Sequence, residues 1–167
     1  MLDGALAAAF AAPVRSVIVV IGADAPRVAA ATRAFAMREG ETQRLRIIHA
    51  ENHADGMGAS LSAAAAALPA DAGGVFVFLG DMPRVPHAVL DPLAIAARRA
   101  PAAAPVFQGR RGHPVVLGRD LVPRLLALSG DQGARAVLAH LGDQVALVEA
   151  PDDGVLFDVD ERRDLNR

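Results

Sequence analysis

Apolar and polar positions along this chain fall into alternating strand-like and helix-like blocks. Residues 2–11 read as a helix. The β-branched run "SVIVVIG" (16–22) has the pattern of a strand buried on both faces. Asp24 stands where it could cap the Ala-rich helix that follows, with Pro26 in the first turn. "RLRIIHA" (44–50) predicts a second strand, "GASLSAAAAALPA" (58–70) a helix, and "GVFVFLG" (74–80) a third strand. A helix over roughly 87–99 comes next, then two short apolar stretches, "AAAPVF" (102–107) and "HPVVLG" (113–118), around the turn-like "QGRRG". Helices near 119–128 and 131–141, a strand "QVALVEA" (144–150) and a final strand "VLFDV" (155–159) complete the reading. Strand–helix alternation of this kind predicts an α/β fold, a Rossmann-like sandwich with helices on both faces of a mostly parallel sheet. The last two strands hint at an antiparallel excursion.

Composition narrows the chemistry. The 167 residues suit one domain with a substantial core, and no linker or internal repeat marks a boundary. Net charge is −2 with the two signs interspersed, which argues against a nucleic-acid or membrane surface driven by bulk electrostatics. There is no Cys, so thiolate metal sites and Cys nucleophiles are excluded. Every basic side chain apart from His is Arg; without Lys, neither a Schiff base nor a Walker-type phosphate loop can form. Asp3 sits where a signal peptide needs positive charge, and the opening apolar run is too short to span a bilayer. The expected setting is cytoplasmic.

One carboxylate stands out. In "FVFLGDMPRV" (76–85) an apolar run ends in Gly80, Asp81 follows, and Pro83 stops the strand. Open α/β sheets bind ligands outside the carboxyl ends of their strands, which is where Asp81 falls. A hard cation such as Mg²⁺ is held through one or two carboxylates plus substrate phosphates. "FDVDERRDL" (157–165) offers a second carboxylate, with Asp158 and Asp160 on one face if the strand continues. The alternative from spacing alone is that Asp81 and Asp160 cap the turn and helix that follow them.

"ENHADGMGASL" (51–61), "LGDMPRV" (79–85), "GRRGHPVVL" (109–117), "SGDQGARAVL" (129–138) and "FDVDERRDL" (157–165) occur in this order over nearly the whole chain. Together they resemble the MobA-like nucleotidyltransferases, and within them the molybdenum cofactor cytidylyltransferase branch. The resemblance implies a Mg²⁺-dependent reaction in which the terminal phosphate of a molybdopterin-type acceptor attacks the α-phosphate of a nucleoside triphosphate, CTP being favoured, and pyrophosphate leaves. By position, Asp81 and Asp160 match the metal ligands. Asn52, Gly56 and Ser60 match the segment lining the nucleotide pocket, for which the plain alternative is a glycine-rich turn with a Ser cap. His113, Asp131 and Arg135 match the acceptor half, Arg135 with a planar fork of donors suited to a phosphate. Two of these keep simpler alternatives, His113 as a turn residue and Asp131 as the cap of a helix starting near Gln132. Arg110 and Arg111 read as a solvated turn, and the remaining His residues have no metal-pair spacing.

The chain also departs from the family pattern. The strand, glycine-rich phosphate loop and Lys with which the family opens are not in this sequence, so "SVIVVIG" is expected to have an edge open to self-association, and a homo-oligomer becomes plausible. A non-catalytic pterin- or partner-binding module derived from the family is the alternative function. "LFDVDE" also matches the aspartate motif of haloacid-dehalogenase-type phosphatases, but that motif opens its domain and here lies near the end of the sequence. Glycosyltransferases with a DxD motif would need the same opening nucleotide loop.

Overall fold

The computed structural model describes residues 1–159, and Asp160 lies outside the described residues. The chain divides into two compact units. One holds Met1–Pro13, Val75–Gly118 and the chain from Asp143 onward; the other holds Val14–Gly74 and Arg119–Gly142.

The second unit is built on two parallel strands, β1 (Val17–Ile21) and β2 (Leu45–His49), paired from Val17↔Leu45 to Ile21↔His49. The helix joining them, labelled α2 (Ala25–Glu39) because α1 (Leu2–Ala11) precedes it, packs on both. It buries Ala29, Thr32, Phe35 and Ala36, one stripe at helical spacing. Gly40, with φ +75°, ends it in the left-handed conformation that glycine adopts without strain. Asp24 precedes α2 but is itself left-handed, at φ 53°, and its side chain makes no capping bond; it pairs instead with Arg27. Asp24 thus stands at the expected N-cap position, its carbonyl accepting the Arg27 and Val28 N–H groups, but its carboxylate serves the ion pair and not the amides of the first turn. The helix α3 (Met57–Ala66) packs on β1 and on the short α5 (Val122–Leu126). At the surface, Arg15 lies 2.8 Å from Asp71, and its hydrogen bond, then its charge, holds that carboxyl below its ordinary value. Both side chains are solvated, so the pair contributes little to stability.

β1 does not match its sequence pattern in full. Val17 and Ile21 are buried, but Ile18, Val19 and Val20 are only half-buried. The reason is that β1 has a single strand neighbour, β2, among the described residues.

The first unit carries a five-stranded sheet in the order β3-β6-β4-β5, with β7 also on β4. Its strands are β3 (Gly74–Val77, the first residue falling in the other unit), β4 (Ala102–Phe107), β5 (Arg110–Arg111), β6 (Val115–Gly118) and β7 (Val145–Glu149). β4 is central and buried from Ala102 to Val106. It runs parallel to β7 and antiparallel to β5 and β6. One edge of β4 is shared: Ala102 and Ala103 pair with β6, Val106 and Phe107 with β5. Pro105 stands where one partner gives way to the next, a place where a missing N–H leaves no ladder bond broken. The antiparallel excursion thus lies at residues 102–118 and not in the last pair of strands. Residues 155–159 do not form the expected strand: Asp153–Leu156 is a 3₁₀ turn, opened by Asp152 accepting the Gly154 N–H. Arg110 and Arg111, expected as a turn, form β5 with exposed side chains.

The helix α4 (Leu90–Ala96) packs on β4, β6 and β7, burying Leu90 and Leu93 completely while Ile95 is exposed. Leu93→Ala removes a side chain with no exposed surface, and we expect it to cost about 2–5 kcal/mol in urea denaturation. Ile95→Ala should change stability by less than about 1 kcal/mol, because that side chain is already in water. No helix among the described residues is long and apolar enough to cross a membrane.

Candidate functional site

The residues singled out from sequence fall into two groups, one in each unit. In the first unit, β3 ends at Val77, and the chain runs on through Phe78 and Leu79 to Asp81. The Asp81 side chain as a whole is half-buried, but its Oδ1 is fully buried with no hydrogen-bond partner among the described residues. Leaving a buried carboxylate oxygen unpaired is costly, which makes this atom a candidate to take a ligand. The Asp81 carbonyl has a partner: it accepts the Val159 N–H at 3.0 Å.

Two further segments converge on the same region of this unit. Gly154 packs so closely on the chain at Arg84 that a Cβ there would stand 2.1 Å from the Arg84 carbonyl oxygen. Three residues on, the Phe157 ring lies under the Arg84 guanidinium, 4.1 Å from centroid to Cζ. The third segment joins through His113, whose N–H donates to the Val155 carbonyl at 2.8 Å. The turn at 153–156 therefore ties Arg84 and His113 into one assembly with the exit of β3. Pro114 follows His113 through a cis peptide bond.

In the second unit, two loops meet. Gly56, the N-cap of α3, has φ +112° and ψ 179°, and a Cβ there would stand 2.4 Å from the Gly130 carbonyl and 2.7 Å from Asp131 Oδ1. Both the backbone angle and the contact demand glycine. The Gly58 N–H donates to the Gly130 carbonyl at 2.8 Å, joining the 52–58 loop to the 129–133 loop. Asn52 is exposed, and Ser60 is half-buried in the first turns of α3 without capping it. The helix α6 (Ala134–Leu141) starts after Gly133, so Asp131 is not its cap. Asp131 lies against Gly56 instead, and Arg135 is exposed on α6.

Asp131 and Arg135, expected with His113, thus belong to the unit that holds Asn52, Gly56 and Ser60, whereas His113 shares its unit with Asp81. Sequence reasoning missed Arg84 and Phe157. The signal for Arg84 was its place three residues beyond Asp81; nothing local marked Phe157.

A divalent cation suits the Asp81 end of this arrangement, since an orphaned carboxylate oxygen at a strand exit is a hard donor with no other ligand. No cluster of three or more acidic or His side chains is found among the described residues, so the rest of such a shell would come from water, substrate phosphates or Asp160.

A search of curated protein sequences returned no match. Among solved structures, Rv0371c of Mycobacterium tuberculosis H37Rv in complex with manganese is 25% identical with a TM-score of 0.74, over 99% of this chain and 84% of its own. The 4-diphosphocytidyl-2C-methyl-D-erythritol synthase of Anaerococcus prevotii DSM 20548 is 13% identical with a TM-score of 0.75, over 99% and 82%. Molybdopterin-guanine dinucleotide biosynthesis protein A of Archaeoglobus fulgidus is 19% identical with a TM-score of 0.51, over 89% and 75%; these last two share the fold. The family profile described as the MobA-like NTP transferase domain matches residues 1–145. With that match over most of its length, and the α/β fold of these neighbours, the chain belongs to the MobA-like NTP transferase family.

Proposed function

We propose that this chain is a divalent-metal-dependent nucleotidyltransferase that moves CMP from CTP to a phosphorylated acceptor of the molybdopterin type. The observation that carries the reading is the buried, unpartnered Oδ1 of Asp81 at the exit of β3. Asp81 and Asp160 would hold a Mg²⁺ ion, which would supply charge neutralisation for the reacting phosphates. Support for Asp160 comes from the hydrogen bond between Asp81 and Val159, the residue that precedes it. Support for a divalent ion comes from the manganese complex of Rv0371c.

In this reading an oxygen of the acceptor phosphate forms the new bond to the α-phosphorus. The bond from that phosphorus to the bridging oxygen breaks, and pyrophosphate leaves with the electron pair. Such a reaction needs in-line positioning and electrostatic stabilisation more than a covalent nucleophile, which suits a chain without Cys or Lys. Asn52, Gly56 and Ser60 take the nucleotide, Gly56 letting the 129–131 loop pack against the start of α3. His113, Asp131 and Arg135 take the acceptor. The 167 residues act as one domain in the cytoplasm.

The test is calorimetric titration of the folded chain with CTP and then GTP, each with and without Mg²⁺. Metal-dependent binding of CTP supports the reading, and release of pyrophosphate in the presence of molybdopterin completes it. Absence of metal-dependent binding of either nucleotide favours the non-catalytic pterin- or partner-binding module instead.

The proposal includes self-association. β1 is β-branched, half-buried at its centre and paired on one side among the described residues, which is the character of an edge that recruits another strand. We expect the chain to sediment as a homo-oligomer, and Val19→Lys, which places a charge on that strand, to shift it towards monomer. An unchanged distribution in the variant would rule this edge out as the contact.

A further inference from the structure

Arg84 has no role in the reading above, and its setting is unusual for a surface cation. Its guanidinium lies 4.1 Å over the Phe157 ring. It has no carboxylate partner among the described residues, whereas Arg38, which also stacks on a ring, that of Phe35, pairs with Glu39. Stacking on an aromatic face fixes the plane of the guanidinium and leaves its edge N–H groups free to donate. The backbone on either side is held as well: the Arg84 carbonyl is packed against Gly154, and Asp81 is bonded to Val159. Arg84 lies three positions beyond Asp81, so the two Cα atoms are at most about 11 Å apart. A stacked cation without a carboxylate partner among the described residues therefore lies within that reach of a carboxylate whose Oδ1 has no hydrogen-bond partner among them.

We propose that Arg84 is the phosphate-binding cation of the Asp81 site, and that Phe157 is a positioning residue that holds its guanidinium plane. The ligand is a phosphate oxyanion, gripped by the fork of guanidinium N–H groups. Arg135, to which the acceptor phosphate was assigned from sequence, belongs to the other unit, whereas Arg84 shares its unit with Asp81. The inference rests on the nucleotidyltransferase reading, which brings two sources of phosphate to the protein: the acceptor's phosphomonoester and the triphosphate of the nucleotide.

The experiment uses the full chain and titrates inorganic phosphate, Mg²⁺ with pyrophosphate, and Mg²⁺ with CTP against wild type, Arg84→Gln, Arg84→Lys and Phe157→Leu. Arg84 is exposed, so its variants are expected to keep the wild-type melting temperature to within a few degrees. Arg84→Gln should weaken one or more of these ligands by about 10- to 100-fold, the loss of a charge-assisted bidentate contact. Its affinity should also depend less steeply on salt. Arg84→Lys should recover part of the loss by restoring the charge without the fork. Phe157→Leu should weaken the same ligands less, and Phe157→Tyr, which keeps the ring, should restore them; a purely structural role for Phe157 would lower stability without this selectivity. Weakened phosphate with CTP and pyrophosphate unchanged assigns Arg84 to the acceptor, and weakened CTP and pyrophosphate assign it to the nucleotide. Wild-type affinity for all three ligands in Arg84→Gln overturns the proposal; if Asp81→Asn still loses Mg²⁺-dependent CTP binding, the nucleotidyltransferase reading survives it. Failure of the wild-type chain to bind any of the three overturns both.

Discussion

Asp81→Asn is expected to abolish the response of this protein to Mg²⁺ while leaving the metal-free fold intact or slightly more stable. The two halves of that result have one cause. Oδ1 of Asp81 is buried and has no partner among the described residues, so the metal-free protein carries the cost of a desolvated carboxylate oxygen. An amide oxygen in the same place costs less to leave unpaired, because it carries no charge. Wild type should gain about 2.7 kcal/mol from metal supplied at a hundred times its dissociation constant. For a chain of this length that is a rise of roughly 5–11 °C in melting temperature. In Asp81→Asn the rise should vanish, and pyrophosphate release from CTP should fall by at least ~10²-fold, the scale of losing a principal electrostatic element. If differential scanning fluorimetry shows the same Mg²⁺-induced shift in both proteins, Asp81 is not a metal ligand and the proposed chemistry has no anchor.

The second large effect is one of packing. Gly154→Ala would place a methyl group 2.1 Å from the Arg84 carbonyl oxygen and 2.8 Å from Asp152 Oδ1. The obstacle at Arg84 is backbone, so relief requires the turn at 153–156 to move away from the chain beside Asp81. Overpacking of this kind costs about 1–3 kcal/mol, or roughly 2–12 °C in melting temperature. The consequence for function is larger than for stability, because the same turn holds the His113 N–H through Val155 and leads to Phe157 and Val159. We expect Gly154→Ala to weaken Mg²⁺ binding in calorimetry even at temperatures where circular dichroism shows it folded. Wild-type metal affinity in the folded variant would mean that the turn and the Asp81 carboxylate are independent.

Sequence and structure agree where the information is local. The helices at α1, α2 and α3 lie close to where their patterns place them, and so do the strands β1, β2 and β3. Agreement weakens where a partner decides. The run "VLFDV" has strand character, but Val159 bonds to Asp81 and Val155 to His113, so its backbone groups are used outside any ladder. The β-branched core of β1 has the composition of a strand buried on both faces, yet burial depends on neighbours that composition does not supply. Asp131 looked like a helix cap because an acidic residue before an apolar repeat usually is one; contact with Gly56 instead came from a loop more than seventy residues away.

Residue order alone therefore determined the α/β class, the exclusion of Cys and Lys chemistry, and the place of Asp81 at a strand exit. Each follows from short-range facts: side-chain inventory, periodicity, and the stop imposed by Gly80 and Pro83. Only the tertiary structure decided that Oδ1 of Asp81 is buried without a partner among the described residues, that Arg84 is stacked on Phe157, and that Asp131 lies beside Gly56. Those outcomes depend on hydrogen bonds and contacts between segments far apart in the chain, whose pairing is settled by the free energy of the whole packed unit and leaves no periodic mark in the residues themselves.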